Sequence, residues 1–184
     1  TEGAATYNTS LGFQALQNLS TGTSNTVMGA LAGDALTSGE YNVAIGYSAL
    51  TTETGDGKNV AVGFEALKDQ NAGVDAYNVA VGFAAGENVS TGTHNVLLGG
   101  KAGDSLNTGS ANIAIGYEAL QYETAYGNNV AIGHQALNSL RAGAAGYNVA
   151  IGDNAGVSMS TGVRNTIIGG LAGDAMTTGV DSVA

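Results

Sequence analysis

The residues able to do chemistry are few, and their spacing is more informative than their types. Asp34, Asp104 and Asp174 each follow a glycine and recur at one constant, long interval. A carboxylate after a tight glycine turn is calcium chemistry, because Ca²⁺ gathers hard oxygen ligands from turns. An ion held between turns needs acid-bearing turns side by side, however, and these three lie far apart in the chain. They read as surface turns or local Asx caps, with calcium the one cofactor the sequence raises. Glu53, Asp56, Asp69, Asp75 and Glu123 fall in connecting segments and read as a solvated acidic edge. His94 and His134 are the only histidines, and no Ser or Asp stands in a defined relation to either. Neither a shared metal site nor a Ser/His/Asp triad is indicated, nor are carboxylates paired across a groove, so the chain reads as no enzyme. Thr21, Thr91 and Thr161 suggest a flat hydroxyl array that would order water and bind ice, but Tyr41, Lys58 and Asn128 interrupt such a face. Tyr122 and Tyr126, with Tyr7, Tyr77 and Tyr147, are candidates for surface contact, stacking on sugar rings.

What positions these side chains is a repeat. Asn8, Asn25, Asn42, Asn59, Asn78, Asn95, Asn112, Asn129, Asn148 and Asn165 follow one another at a spacing of 17, with 19 at every fourth interval, so that each set of four spans 70. The fourth residue after each Asn is Gly, and the seventh is Ala. Between Asn and Gly sit segments such as Val43-Ala44-Ile45 and Ile113-Ala114-Ile115, which is strand chemistry without helical period. Near-identical strands recurring at this interval demand equivalent environments, so they stack in parallel as successive coils of a β-solenoid. The expectation is an all-β parallel β-solenoid, or β-roll, of about eleven coils of this repeat. It forms one continuous array over residues 1–184, with super-repeats 8–77, 78–147 and a partial 148–184.

Each coil is expected to hold the strand, a corner at the Gly, a second short extended piece such as 47–50, and a polar return. The two extra residues in the returns at 69–76 and 139–146 should bulge from one edge. Alternation puts Val43 and Ile45 on one face and Asn42, Ala44 and Gly46 on the other. The Ala column (Ala44, Ala61, Ala80, Ala114, Ala131, Ala150) is smooth enough to lie against another sheet. That sheet is either the coil's own opposite wall or a neighbouring chain, and the thin supply of large side chains favours the neighbour. Stacked Asn side chains can hydrogen-bond amide to amide along the axis. His134 shares its column with Phe13, Tyr47, Phe64, Phe83 and Tyr117, and reads as one more ring in a stack. Ala184 aligns with Ala44 in mid-strand, so the array is expected to run on beyond both termini.

Composition narrows the function classes. With 5 Lys+Arg against 15 Asp+Glu the formal charge is −10, which argues against nucleic acid or an anionic membrane surface as partner. Apolar runs such as Val96-Leu97-Leu98 are too short to insert into a bilayer. There is no Cys, so disulfides and Cys-ligated metals are excluded, and no Pro, while 30 Gly make the turns.

The runs Tyr41-Asn-Val-Ala-Ile-Gly-Tyr-Ser-Ala-Leu50, Asn59-Val-Ala-Val-Gly-Phe-Glu-Ala-Leu67 and Asn112-Ile-Ala-Ile-Gly-Tyr-Glu-Ala-Leu120 resemble the head repeats of trimeric autotransporter adhesins. They are similar also to Asn-x-Ala-Ile-Gly repeats of phage tail fibres. The resemblance implies a left-handed β-roll, three chains about one axis, and a fibre projecting from a bacterial cell surface or virion. It implies no catalytic residue. The expected role is therefore a structural segment of an extracellular or virion fibre, with adhesion or receptor contact. Its partners would be copies of itself, as a homotrimer or a filament, and a host surface protein or glycan. A self-assembling filament subunit and an ice- or calcium-binding solenoid are the alternatives.

Overall fold

The computed structural model describes residues 7–55 and 57–184. Ten three-residue strands follow one another: β1 (Thr9–Leu11), β2 (Thr26–Met28), β3 (Val43–Ile45), β4 (Val60–Val62), β5 (Val79–Val81), β6 (Val96–Leu98), β7 (Ile113–Ile115), β8 (Val130–Ile132), β9 (Val149–Ile151) and β10 (Thr166–Ile168). Each pairs in parallel only with its neighbours in sequence, giving one ten-stranded sheet in chain order. The register repeats without slip, as in Val43↔Val60, Ala44↔Ala61 and Ile45↔Val62. No helix occurs among the described residues. This is an all-β parallel β-solenoid of about nine turns, fewer than the eleven expected. Dividing the length by the repeat overcounts, because a complete turn needs a strand at both ends, and beyond β10 only two bridges form, Val163↔Val180 and Thr166↔Val183.

Two expectations about the coil need correction. The piece after the glycine corner is a run of turns, not a second extended segment. Gly46, Ser48 and Leu50 have φ of 139°, 50° and 54°, and Ala49 N–H closes a turn onto Gly46 O at 3.4 Å. Alternating hand along the chain sends N–H groups to both neighbouring coils: Ser48 donates back to Ala30 O (3.0 Å) and Leu50 forward to Ala66 O (3.0 Å). Each coil is thus hydrogen-bonded to its neighbours around the corner as well as through the strands. The glycine at the corner is required by proximity. A Cβ on Gly46 would run into the carbonyl oxygen of Gly63 in the next coil, and the φ of 139° is itself one that L side chains avoid.

The second correction concerns the Ala column. Ala44, Ala61, Ala80, Ala114, Ala131 and Ala150 are fully buried, and the cover comes from the same chain. The return and corner segments fold back over the strand, so Leu50, Leu67, Leu120 and Leu137 reach the same core from the opposite wall. Small residues suit this core because the two walls of a narrow coil lie close together.

Core volume is balanced between columns, and the balance explains the super-repeat. Where the strand centre is large, as at Val27, Leu97 and Ile167, the position four after the corner is glycine: Gly33, Gly103 and Gly173. Where the centre is alanine in β3, β4, β7 and β8, that position is Leu. β5 and β9 have Ala with Gly86 and Gly156, and their neighbours fill the space. A Cβ at Gly86 would lie 2.6 Å from Leu97 Cδ1 and 3.1 Å from Leu67 Cδ2, one from the coil on each side. Side chains therefore interdigitate with a period of four coils, which is the length of the super-repeat.

Gly46→Ala is expected to cost about 3 kcal/mol or more through backbone collision and strain. Gly143→Ala, where an added Cβ meets nothing within 4 Å, should be neutral or stabilising by about 0.4–1 kcal/mol. Chemical denaturation of the two variants beside the parent checks both.

Candidate interaction surface

The chemistry-bearing residues sort onto three surfaces of the coil. Inside runs the asparagine column, with Asn25, Asn42, Asn59, Asn78, Asn95, Asn112, Asn129, Asn148 and Asn165 fully buried and Asn8 half-buried at the first rung. The expected amide-to-amide contact is present but secondary. The main bond runs from backbone to side chain: the N–H of each Asn donates to Oδ1 of the Asn one coil earlier, as in Asn95 to Asn78 (2.8 Å) and Asn112 to Asn95 (3.0 Å). Amide-to-amide bonds accompany it at Asn112 to Asn95 (3.3 Å) and Asn165 to Asn148 (3.1 Å). The Nδ2 group also holds the return segment by donating to a carbonyl further along the same coil, such as Asn95 to Gly109 O (2.9 Å). An amide carries its acceptor and its two donors on separate atoms, so one side chain serves all of these contacts.

Two of the acids read as a solvated edge are core residues. Glu53 and Glu123 are fully buried. In seven other coils this position, seven after the corner, holds Leu19, Leu36, Val89, Leu106, Leu140, Met159 or Met176. Glu123 is accommodated by hydrogen bonding. Its Oε1 accepts the successive N–H groups of Thr124 (2.9 Å), Ala125 (3.1 Å) and Tyr126 (3.1 Å), and Oε2 accepts Ala142 N–H (2.8 Å) from the next coil. A carboxylate taking four backbone donors shapes its own return and fastens it to the bulged one. The sequence signal was the column: in most coils it is apolar. Asp69 is half-buried and Asp75 exposed, the latter paired with Lys58; Asp56 lies outside the described residues.

The three aspartates stand on one column after β2, β6 and β10, four coils or roughly 19 Å apart. Each of the first two is engaged locally. Asp34 Oδ1 accepts Thr51 Oγ1–H at 2.6 Å, and Asp104 Oδ1 accepts Asn88 Nδ2–H at 2.9 Å. Burial, then the neighbouring Glu87, pushes the Asp104 carboxyl up from its ordinary value; Asp174 is exposed. Among the described residues no group of three His, Cys, Asp or Glu side chains is placed to hold a metal ion. On the return edge, Ser20 and Thr37 hydroxyls donate to carbonyls of the next coil at 3.0 and 2.9 Å, so they are committed within the protein. Tyr122 and Tyr126 are 39% and 37% exposed. The Arg141 guanidinium lies 5.1 Å from the Tyr122 ring centroid, whereas Tyr126 contributes its backbone to the Glu123 and Asn112 contacts.

The outer face of the sheet is the surface that sequence reasoning missed. In β3, β4, β7 and β8 the outward residues flanking the buried centre are half-buried, Val43 and Ile45 among them. The outer column Leu11, Met28, Ile45, Val62, Val81, Leu98, Ile115, Ile132, Ile151, Ile168 is apolar in all ten strands. Ring columns border it on both sides. On one, Tyr47, Phe64 and Phe83 stack at 5.3 and 5.1 Å, and Tyr117 stacks on His134 at 5.8 Å. On the other, Tyr77 stacks on His94 at 5.3 Å beneath the Lys58 ammonium. The two histidines thus sit on opposite rims, each against a tyrosine. Rings stacked along the axis turn their edges outward and cover the faces between them, which offers apolar contact.

No family model, curated protein or solved structure matches this chain.

Asn112→Ala leaves the buried Asn129 N–H without its acceptor and should cost about 1–3 kcal/mol for each polar group so stranded. Asn112→Asp, which buries a charge and loses the donor, should be more destabilising at pH 7. The order of their denaturation midpoints tests the ladder. Glu123→Gln turns an amide N–H toward the Ala142 N–H and should also destabilise, by about 1–3 kcal/mol.

Proposed function

We propose that this chain is a structural segment of an extracellular or virion fibre in which copies of the solenoid pack against one another through the outer sheet face. The observation that carries the reading is that face, an unbroken apolar column over ten strands. The strand residues on it are all uncharged in a chain of net charge −10. Nine spacings of ~4.8 Å between the ten strands, and about 15 Å across a strand and its two rims, give on the order of 650 Å² per copy, close to the roughly 800 Å² per partner of a stable interface. A second copy is the favoured partner for a geometric reason. The face repeats the same shape at every strand, and another solenoid of the same period matches it along its whole length.

The assembly we favour is a homotrimer of left-handed coils about one axis, the arrangement implied by the resemblance to adhesin heads and phage fibres. Three copies facing inward would cover all three faces and close the assembly. The acidic return edges, with Tyr122 and Tyr126, would then face outward to meet a host surface protein or glycan on behalf of a bacterial cell or virion. The chain acts in this reading as a rigid spacer and contact surface, without catalysis.

Light scattering over a dilution series tests the proposal. The parent should hold a concentration-independent mass three times its 18.1 kDa. The double variant Ile45→Asp/Ile115→Asp should fall to a monomer that keeps its β circular dichroism. A monomeric parent overturns the reading, and a mass that grows with concentration favours the filament instead.

A further inference from the structure

We propose that one buried water molecule is a fixed part of the core beside the first bulged return, held by Asn59 Nδ2 and Gln70 Nε2. Both side chains are fully buried, and among the described residues these two nitrogens donate to no acceptor. Their other ends are pinned. Asn59 Oδ1 accepts Asn78 N–H at 3.1 Å, and Gln70 Oε1 accepts Asn78 Nδ2–H at 2.8 Å. Neither amide can turn over to hide its donor without breaking that bond, and their shared partner sets the two side by side. Buried donors left in this state are rare and costly, so paired ones call for an acceptor between them.

The bulge is the cause. In an ordinary coil Nδ2 donates to a carbonyl at a fixed count along the return, as Asn78 does to Gly92 O at 2.7 Å. From Asn59 the same count falls on Gly73, inside the two-residue insertion and in open surroundings, and the carbonyl is displaced. The second super-repeat is an internal control. There Leu140 stands where Gln70 does, and Asn129 Nδ2 reaches Asn112 Oδ1 (3.2 Å) and Gly127 O (3.3 Å). The chain thus carries one hydrated version of this layer and one dry version. Water fits better than an anion. The buried Glu53 carboxylate occupies the same column one coil before Gln70, and its negative charge disfavours an anion there.

Crystals of the 184-residue chain, one set soaked in sodium bromide, decide the matter. A single peak within about 3.2 Å of both nitrogens, without bromine anomalous signal, is expected. The Gln70→Leu variant, which copies Leu140, should lose that peak with the surrounding coils unchanged. A bromine signal there overturns the proposal in favour of an anion. An empty site, amides re-paired with protein acceptors, or a peak that persists in Gln70→Leu overturns it too.

Discussion

Each coil takes its backbone conformation from hydrogen bonds to the coils on either side, and the rest of the molecule follows from that reciprocity. Gly46 N–H donates to Met28 O at 2.8 Å in one direction, and Ile45 O accepts Gly63 N–H at 2.7 Å in the other. A bond pattern repeated this often leaves each column one backbone geometry. Leu50 and Leu67 accordingly keep φ of 54° and 48°, a left-handed conformation that would be strained in isolation and persists where the surroundings over-determine it. The asparagine ladder is the side-chain part of the same constraint, since each amide must serve the coil before and the coil after.

With the backbone held constant, side-chain volume is the remaining freedom, and it explains why a longer repeat of four coils is laid over the single-coil repeat. Large residues alternate between the strand wall and the opposite wall. Leu67 and Leu97 lean toward Gly86 from the two sides, so no coil is packed by its own residues alone. The polar side chains in this core are each anchored by at least one hydrogen bond. Glu123 is tolerated because four backbone amides converge on its carboxylate, and its position next to the bulged return ties together two departures from the regular coil.

Charge follows the axis as well. Lys68 meets Glu87 at 2.6 Å, Arg164 meets Asp181 at 2.6 Å, and Lys58 meets Asp75, each pair one coil apart. The Arg164 hydrogen bond holds the Asp181 carboxyl below its ordinary value, and the Gln135 hydrogen bond does the same for Glu118. Exposed pairs of this kind add little stability singly. Charged side chains stand on the rims, in the turns after the corner and in the returns, while the strand residues are all uncharged. A solenoid with one uncharged apolar wall and its exposed charges elsewhere presents two different surfaces.

The architecture was legible in the sequence because a solenoid translates spacing into position. The regular spacing with its lengthened fourth interval, the invariant Asn and Gly, and the alternation through Val43, Ala44 and Ile45 determine parallel strands, their register, the corner and the edge that bulges. They also place His134 in its ring stack. Which face turns inward is not contained in that alternation: both faces are apolar or small, and only the closure of the chain over Ala44 decided that the Ala face is core and the Val43/Ile45 face is surface. The same closure separated the acids. Glu53 and Asp75 look alike in a connecting segment, but the first points into the coil and the second outward, and backbone donors arranged in three dimensions set that difference. Spacing along a chain fixes what lies above what in a solenoid; inside and outside are settled when the coil closes and its small residues meet the opposite wall.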